Sequence, residues 1–407
     1  MKEKQIEIVR STVPLLEERG VELTRHFYQR MLKGDSQVER FFNPSHLHSG
    51  GQQEALAGAI CAYAKHIDNP SVLASAVELI AHKHVSLMIQ PEHYPIVGKH
   101  LLGSIQEVLG LSEDDPVIEA WGAAYQQLAE IFIERERQLY QGQSTAKDGW
   151  TGFKELKVVE KTPESELITS FYLKNESGGL PWFKPGQYIT IKLPDTVPFH
   201  STRNYSLSLA PNEEVYRISV KREDGYGSDV PAGNVSNFLH KNVEVNDMLL
   251  VGPPCGEFFL DTGADCQRPL VLLSGGVGIT PLLSMLHASL RDCPDRKVYF
   301  FHAAKHGGVH AFREEVQELA QSYESLQFRF VYNEPREEDR RQNHLAGLID
   351  SAFLKEHLPT NDCDFFFCGP RPFMVNVHQH LRDWGVPEEQ LSFEFFGPRR
   401  SLEAVPV

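Results

Sequence analysis

Two residues in the first third of the chain stand where ordinary core packing leaves chemistry unsatisfied. Asn69-Pro70 is expected to begin a helix that Pro91 stops, and on it Leu73, Val77, Ile80, His84, Leu87 and Met88 share one broad face. His84 therefore points inward, and His82 lies off the stripe. A buried imidazole needs a partner, either a core hydrogen bond or a metal such as haem iron. Farther on, Trp121, Tyr125, Leu128, Phe132 and Glu136 recur at spacings of three and four, which puts a carboxylate on an otherwise apolar face where an unpaired charge is costly. A hydrogen bond from His84 to Glu136 satisfies both groups, and Tyr94, just beyond the His84 helix, can join them. The competing reading rolls Glu136 to the helix edge and into solvent. Tyr28 shares a face with Thr24, Phe27 and Met31, and Gln52 lies one turn before Leu56, so both can donate hydrogen bonds into an apolar pocket, with Gln53 as the adjacent alternative. Phe41-Phe42-Asn43-Pro44 supplies an aromatic pair at a helix corner, of the kind that wedges a flat macrocycle.

The later motifs carry different chemistry. In Arg203-Asn204-Tyr205-Ser206 strand alternation turns Arg203 and Tyr205 to one side and Asn204 and Ser206 to the other; the arginine can pair with pyrophosphate, the tyrosine can cover a flavin ring and Ser206 can bond its edge. A solvated edge-strand arginine is the plainer alternative. Gly233-Asn234-Val235-Ser236-Asn237 reads as a glycine turn opening a helix whose free N–H groups receive phosphate, and Pro185-Gly186-Gln187-Tyr188 adds a third element. Gly275-Gly276-Val277-Gly278-Ile279-Thr280-Pro281 follows the apolar run Leu270 to Leu273 and opens a helix, the setting a phosphate-binding turn requires. Cys368-Gly369-Pro370 ends another strand before Phe373, and Phe393-Glu394-Phe395-Phe396-Gly397 lies near the C-terminus; a small buried thiol and a solvent-exposed Glu394 are the bland readings there.

These motifs need three kinds of scaffold. Residues 1–140 run at helical period, and the small, polar stretch Gln141 to Gly149 marks a change to short alternating segments such as Phe153 to Val159 and Glu166 to Leu173. Turns at Pro185-Gly186, Asp224-Gly225 and Pro253-Pro254 then predict a small antiparallel barrel or sandwich over 151–263. After a second boundary at Thr262 to Arg268, residues 268–400 alternate strand and helix, with strands at Pro269 to Ser274, Lys297 to His302, Gln327 to Tyr332, Asp364 to Cys368 and Gln390 to Phe396, as in a parallel α/β sheet. A net charge of −15 over 407 residues opposes binding to nucleic acid or anionic lipid. No apolar run is long enough to span a bilayer and the N-terminus has no signal-peptide pattern, so a cytoplasmic address is the default. Six cysteines (Cys61, Cys255, Cys266, Cys293, Cys363, Cys368) without a Cys-x-x-Cys pair indicate neither a disulfide framework nor a zinc site.

On these motifs the first third resembles the globin domain of bacterial flavohaemoglobins, and the remainder resembles the FAD- and NAD(P)-binding parts of the ferredoxin-reductase superfamily. The resemblance implies a multi-domain fold: an all-α globin, an antiparallel β-barrel FAD domain and an α/β parallel-sheet NAD(P)-binding domain. It implies haem b held by His84, with Tyr94 and Glu136 as that ligand's partners, Tyr28, Gln52 and Leu56 on the distal side, and Phe42 packed on the haem. FAD would rest on Tyr188, Arg203, Asn204, Tyr205, Ser206, Gly233, Val235 and Ser236. NAD(P)H would meet Gly275, Gly276, Val277, Gly278, Thr280 and Pro281, with Cys368, Gly369 and Pro370 beside the nicotinamide, Glu394 tuning flavin or haem, and Phe396 occupying the nicotinamide's place until the dinucleotide enters. The segment Gly225 to Pro231 departs from the superfamily as a longer approach to the phosphate helix. The activity implied is nitric oxide dioxygenation: NAD(P)H reduces FAD, FAD reduces haem, and dioxygen with nitric oxide gives nitrate. A lipid in the distal pocket is left open. A general NAD(P)H oxidoreductase and an oxygen-binding or sensing globin are the competing functions, the second of which needs only the first 140 residues.

Overall fold

The computed structural model describes residues 1–35, 38, 41–42, 50–197, 202–225, 231–263, 267–341 and 344–397. Asn43-Pro44 and most of the Gly225 to Pro231 approach lie outside them. The described residues divide into two compact units, Met1–Ser144 with Gly397, and Thr145–Phe396.

The first unit is helical, as its periodicity predicts: α1 (Glu3–Ser11), α2 (Val13–Gly34), α3 (Gly51–Lys65), α4 (Ala74–Ser86), α5 (His93–Leu109) and α6 (Pro116–Thr145). On α2, Leu16, Gly20, Leu23, Thr24, Phe27, Tyr28 and Met31 are buried, a stripe at intervals of three and four that packs against α3 and α5. A second cluster joins Ala81, Tyr94, Ala129 and Phe132 across α4, α5 and α6. One expectation fails in an informative way. The helix carrying His84 stops at Ser86, ahead of Pro91. Ile89 N–H donates to His84 O at 3.0 Å and Met88 N–H to Val85 O at 3.0 Å, with Met88 at φ 62°. That is a Schellman closure with a methionine in the left-handed position glycine usually fills, so Leu87 and Met88 belong to the closing turn rather than the helix face.

The second unit holds two six-stranded sheets. The first, antiparallel, contains β1 (Lys154–Pro163), β2 (Ile168–Lys174), β3 (Tyr188–Lys192), β4 (Thr202–Ser206), β5 (Tyr216–Lys221) and β6 (Met248–Val251), in the order β4-β3-β6-β1-β2-β5. A bridge between Leu207 and Ile218 brings the two edge strands together, and the enclosed core includes Leu156, Phe171, Ile191 and Tyr216, with α7 (Asn234–Asn242) contributing Val235 and Leu239. Closing the edges removes unpaired backbone that would otherwise template aggregation.

The second sheet is parallel: β7 (Leu270–Gly275), α8 (Ile279–Asp292), β8 (Val298–Ala304), α9 (Arg313–Ser322), β9 (Leu326–Tyr332), β10 (Leu345–Ala346), α10 (Ser351–His357), β11 (Asp364–Cys368), α11 (Arg371–Asp383) and β12 (Leu391–Glu394), with strand order β10-β9-β8-β7-β11-β12. All six residues of β7 are buried, as expected of a parallel strand covered on both faces. The order reverses between β7 and β11, and in open α/β sheets ligands bind outside the carboxyl ends at such a switch. No helix among the described residues is long and apolar enough to cross a membrane. Cys61, Cys255, Cys363 and Cys368 are free, and Cys293 is disulfide-bonded.

Candidate functional site

In the helical unit α4, α5 and α6 bring three polar groups to one point. His84 Nδ1 lies 2.7 Å from Glu136 Oε1 and 3.1 Å from the Tyr94 hydroxyl, which itself donates to Glu136 Oε1 at 2.5 Å. Glu136 is 2% exposed, so the solvent reading of that residue is excluded. Burial, and then the negative charge of Glu136, pushes the Tyr94 phenol well above its ordinary pKa and keeps it a donor. The Tyr125 hydroxyl donates to Tyr94 O at 2.6 Å and fixes the tyrosine's backbone, a role its place on the apolar stripe did not reveal. With Nδ1 engaged, His84 presents Nε2, which carries no hydrogen bond among the described residues, on a side chain 32% exposed. The Phe132 ring lies 5.6 Å from the imidazole.

His82 behaves otherwise than expected. It is buried, and its Nε2 meets Glu78 Oε1 at 3.1 Å. Glu78 is gripped in turn by Arg135, whose Nε and Nη2 each donate at 2.6 Å. Arg135 adjoins Glu136 on α6, and Glu78 is one turn before His82 on α4, so the pair ties the two helices together. The Glu78–His82 spacing of four residues was the available signal.

Tyr28 belongs to the larger core cluster of the helical unit, with its ring 5.4 Å from Phe42, edge to face. Burial pushes its phenol up to about 12, and a hydrogen bond with Gln52 opposes that shift. Gln52, rather than Gln53, is the amide that meets Tyr28; Gln53 is buried, and its backbone carbonyl accepts from Thr24 Oγ1 at 2.9 Å. Leu56 is half-buried against the same cluster. A histidine whose Nε2 has no hydrogen bond among the described residues and whose Nδ1 meets a carboxylate, together with an apolar cluster bearing two donors, is a donor set suited to haem.

In the barrel, β4 pairs antiparallel with β3, which sets Tyr205 opposite Ile189 and Ser206 opposite Tyr188. Arg203 and Tyr205 are half-buried, Asn204 is exposed, and Ser206 is buried. Burial pushes the Arg203 guanidinium below its ordinary pKa, a setting that an anionic phosphate relieves, and pushes the Tyr205 phenol up. The Asn204 amide oxygen accepts from Thr190 Oγ1 at 2.8 Å, so this side chain holds β3 to β4. Gly233 caps α7 with no side-chain bond, leaving the helix start to its backbone N–H groups. Two expectations are narrowed. Val235 is in the barrel core, so only its backbone can meet a ligand, and the Ser236 hydroxyl donates to Gly233 O at 3.2 Å. Arg203, Tyr205 and the α7 N-terminus are chemically suited to a flavin dinucleotide.

At the switch point of the parallel sheet the two glycine loops touch backbone to backbone. A Cβ on Gly278 would collide with the Cys368 carbonyl, and one on Gly275 would meet Phe373 at 3.0 Å and Pro370 at 3.1 Å. Thr280 Oγ1 donates to Val277 O at 3.0 Å and steadies the turn into α8, where Pro281 occupies the first turn. Val277 packs against the core. Cys368 pairs in register with Ser274 on one side and Glu394 on the other. Glu394 is buried, which excludes the solvent reading, while Phe396 is 49% exposed beyond the end of β12. These loops leave a backbone cradle suited to a dinucleotide.

The chain matches two families, Globin over residues 25–132 and Oxidoreductase NAD-binding domain over residues 272–379. A Flavohemoprotein of Rhodopirellula baltica is 47% identical across the whole of both chains. One of Halalkalibacterium halodurans is 45% identical over 97% of each. Among solved structures, a flavohemoglobin from Malassezia yamatoensis with bound FAD and heme is similar at TM-score 0.84 and 25% identity, over 97% of this chain and 99% of that one. The flavohem-like FAD/NAD binding domain of a nitric oxide dioxygenase from Vibrio cholerae matches at TM-score 0.54 and 38% identity, over 60% of this chain and 99% of its own.

Proposed function

The chain belongs to the flavohaemoprotein family, and from that premise we propose how its residues divide the work of a nitric oxide dioxygenase that uses haem, FAD and NAD(P)H. When bound, haem supplies the iron at which dioxygen is activated toward nitric oxide, and FAD converts a two-electron hydride into single electrons. His84 would hold the iron through Nε2, its Nδ1 being engaged by Glu136. Glu136 accepts the Nδ1 proton's hydrogen bond, orients the ring and raises its basicity, while Tyr94 fills the carboxylate's remaining capacity. Tyr28, kept protonated by burial, and Gln52 donate hydrogen bonds on the distal side, and Leu56 and Phe42 exclude water there.

In the second unit Arg203 and the start of α7 bind the flavin's phosphates, Tyr205 covers the ring, and Ser206 bonds its edge. The Gly275–Pro281 turn binds the pyrophosphate of NAD(P)H, with Cys368–Pro370 beside the nicotinamide. We assign the flavin and nicotinamide regions to separate domains, 151–263 and 268–400, beside a globin of 1–140. A cytoplasmic location, where NAD(P)H is supplied, is part of the proposal.

The observation that carries this reading is the His84–Glu136 hydrogen bond beside a free Nε2. The experiment is direct: nitric oxide is added under air to the protein loaded with haem and FAD, and nitrate and NAD(P)H are assayed. Nitrate forms in proportion to NAD(P)H oxidised. Oxidation of NAD(P)H with no nitrate would identify a general oxidoreductase, and neither product a binding globin.

A further inference from the structure

One side chain of the second unit joins the segment following the flavin strand to the helix that opens at the nicotinamide turn. Arg217 projects from β5 and is 4% exposed. One edge of its guanidinium holds the barrel: Nε donates to Ser208 Oγ at 3.0 Å and Nη2 to Ser208 O at 2.6 Å, two residues beyond Ser206. The other edge leaves the barrel, with Nη1 and Nη2 each donating at 3.0 Å to the two carboxylate oxygens of Glu315 in the first turn of α9. Glu315 Oε1 also accepts from His287 Nε2 at 2.6 Å, and His287 is on α8, the helix begun by the Gly275–Pro281 turn. The Phe312 ring lies 4.8 Å from the guanidinium carbon and shields the pair.

A buried ion pair is weak evidence of stability, since apolar side chains of the same volume often serve as well. What a bidentate arginine–carboxylate pair adds is fixed geometry. Hydride transfer needs that: the reacting atoms must approach to ~3–3.5 Å, and a misplacement of ~1 Å lowers the rate on the order of a hundredfold. Glu166 and Arg336 also join the two sheets' regions, but their side chains are 48% and 41% exposed, where an ion pair holds little.

We propose that Arg217 is a positioning residue for hydride transfer, acting through Glu315 and His287 to fix the Gly275–Pro281 turn relative to the Arg203–Ser206 strand. This rests on the flavin and nicotinamide sites proposed above. In the step served, a hydride leaves C4 of the dihydronicotinamide, which becomes the pyridinium cation, and bonds to N5 of the flavin, which becomes its reduced anion.

The test uses full-length protein loaded with haem and FAD, mixed without oxygen with NADH or its C4-deuterated form while flavin bleaching is followed. Arg217→Met fills the volume without the charge. It should retain FAD and the haem spectrum, reduce flavin at least about tenfold more slowly at saturating NADH, keep KM within about threefold, and show a larger deuterium effect. Arg217→Lys should recover part of the rate, and Glu315→Gln should show a smaller loss of the same kind. Adding Glu315→Gln to Arg217→Met should slow it no further. Flavin-loaded Arg217→Met with the parent rate and isotope effect overturns the proposal. Should that variant not fold, parent values in both Arg217→Lys and Glu315→Gln overturn it. A parent protein whose flavin neither NADH nor NADPH reduces refutes the site reading itself, and the proposal falls with it.

Discussion

Glu136 Oε1 lies 2.7 Å from His84 Nδ1 although 52 residues separate them in the chain, and it is the sole carboxylate oxygen the imidazole touches among the described residues. The pair joins α4 to α6 and leaves the opposite ring nitrogen available.

Replacing Glu136 by Gln keeps the shape and removes the charge. Partners of a metal-bound histidine typically contribute ~10–100-fold to affinity or activity, so nitrate turnover should fall by that order. The iron–histidine stretching frequency should fall with it. An unchanged frequency in a haem-loaded Glu136→Gln protein would mean that the carboxylate does not act on the imidazole.

Tyr28→Phe retains the ring and deletes the donor. A charge-assisted hydrogen bond contributes roughly 1.5–3 kcal/mol, so oxygen should dissociate ten- to a hundredfold faster, with carbon monoxide affected far less. Gln52 meets Tyr28 and can substitute for it in part. The double variant with Gln52→Leu is therefore the stricter measurement, and unchanged oxygen off-rates in both would falsify the distal assignment.

Gly278→Ala places a methyl against the Cys368 carbonyl, a backbone group that cannot swing aside. The strain should lower the stability of the second unit by about 1–3 kcal/mol and slow flavin reduction, while haem absorbance persists. Calorimetry of the flavin-loaded protein reads the first effect. A melting temperature equal to the parent's would contradict the close contact.

Burial raises the Glu315 carboxyl pKa, but the hydrogen bond from His287 and the charge of Arg217 outweigh it and hold the group at about 2, against an ordinary value of 4.5. A depressed carboxylate adds stability that is complete above its unfolded value and disappears as pH falls through the folded one. The second unit should thus lose roughly 3 kcal/mol between pH 4.5 and 2 from this group. Urea unfolding across that range should show the slope in the parent and a flatter one in Glu315→Gln.

Much of this was legible in the chain because single residue types signalled it. Gly275 to Pro281 followed an all-apolar run, and the stripe ending at Glu136 announced a carboxylate facing inward. The end of α4 was not legible, since its closing turn uses Met88 where a glycine would have marked it. Helical phase alone could not separate Gln52 from Gln53; the Tyr28 contact does. Arg217 was hidden for another reason. It alternates along β5 like a solvent-facing cation, but five of the six residues of that strand are buried, and its partner lies 98 residues away.

Cys368 lies at the backbone contact between the two glycine loops, fully buried, and burial followed by the charge of Glu394 pushes its thiol far above the usual range. Oxidants and nitrosating agents attack the thiolate. An enzyme that consumes nitric oxide beside reactive oxygen therefore keeps in an inert form the sulfur we propose to lie beside its hydride donor. Chemical wear on the described free cysteines should begin at half-buried Cys61 and spare Cys368, so that the catalyst outlasts the stream it processes.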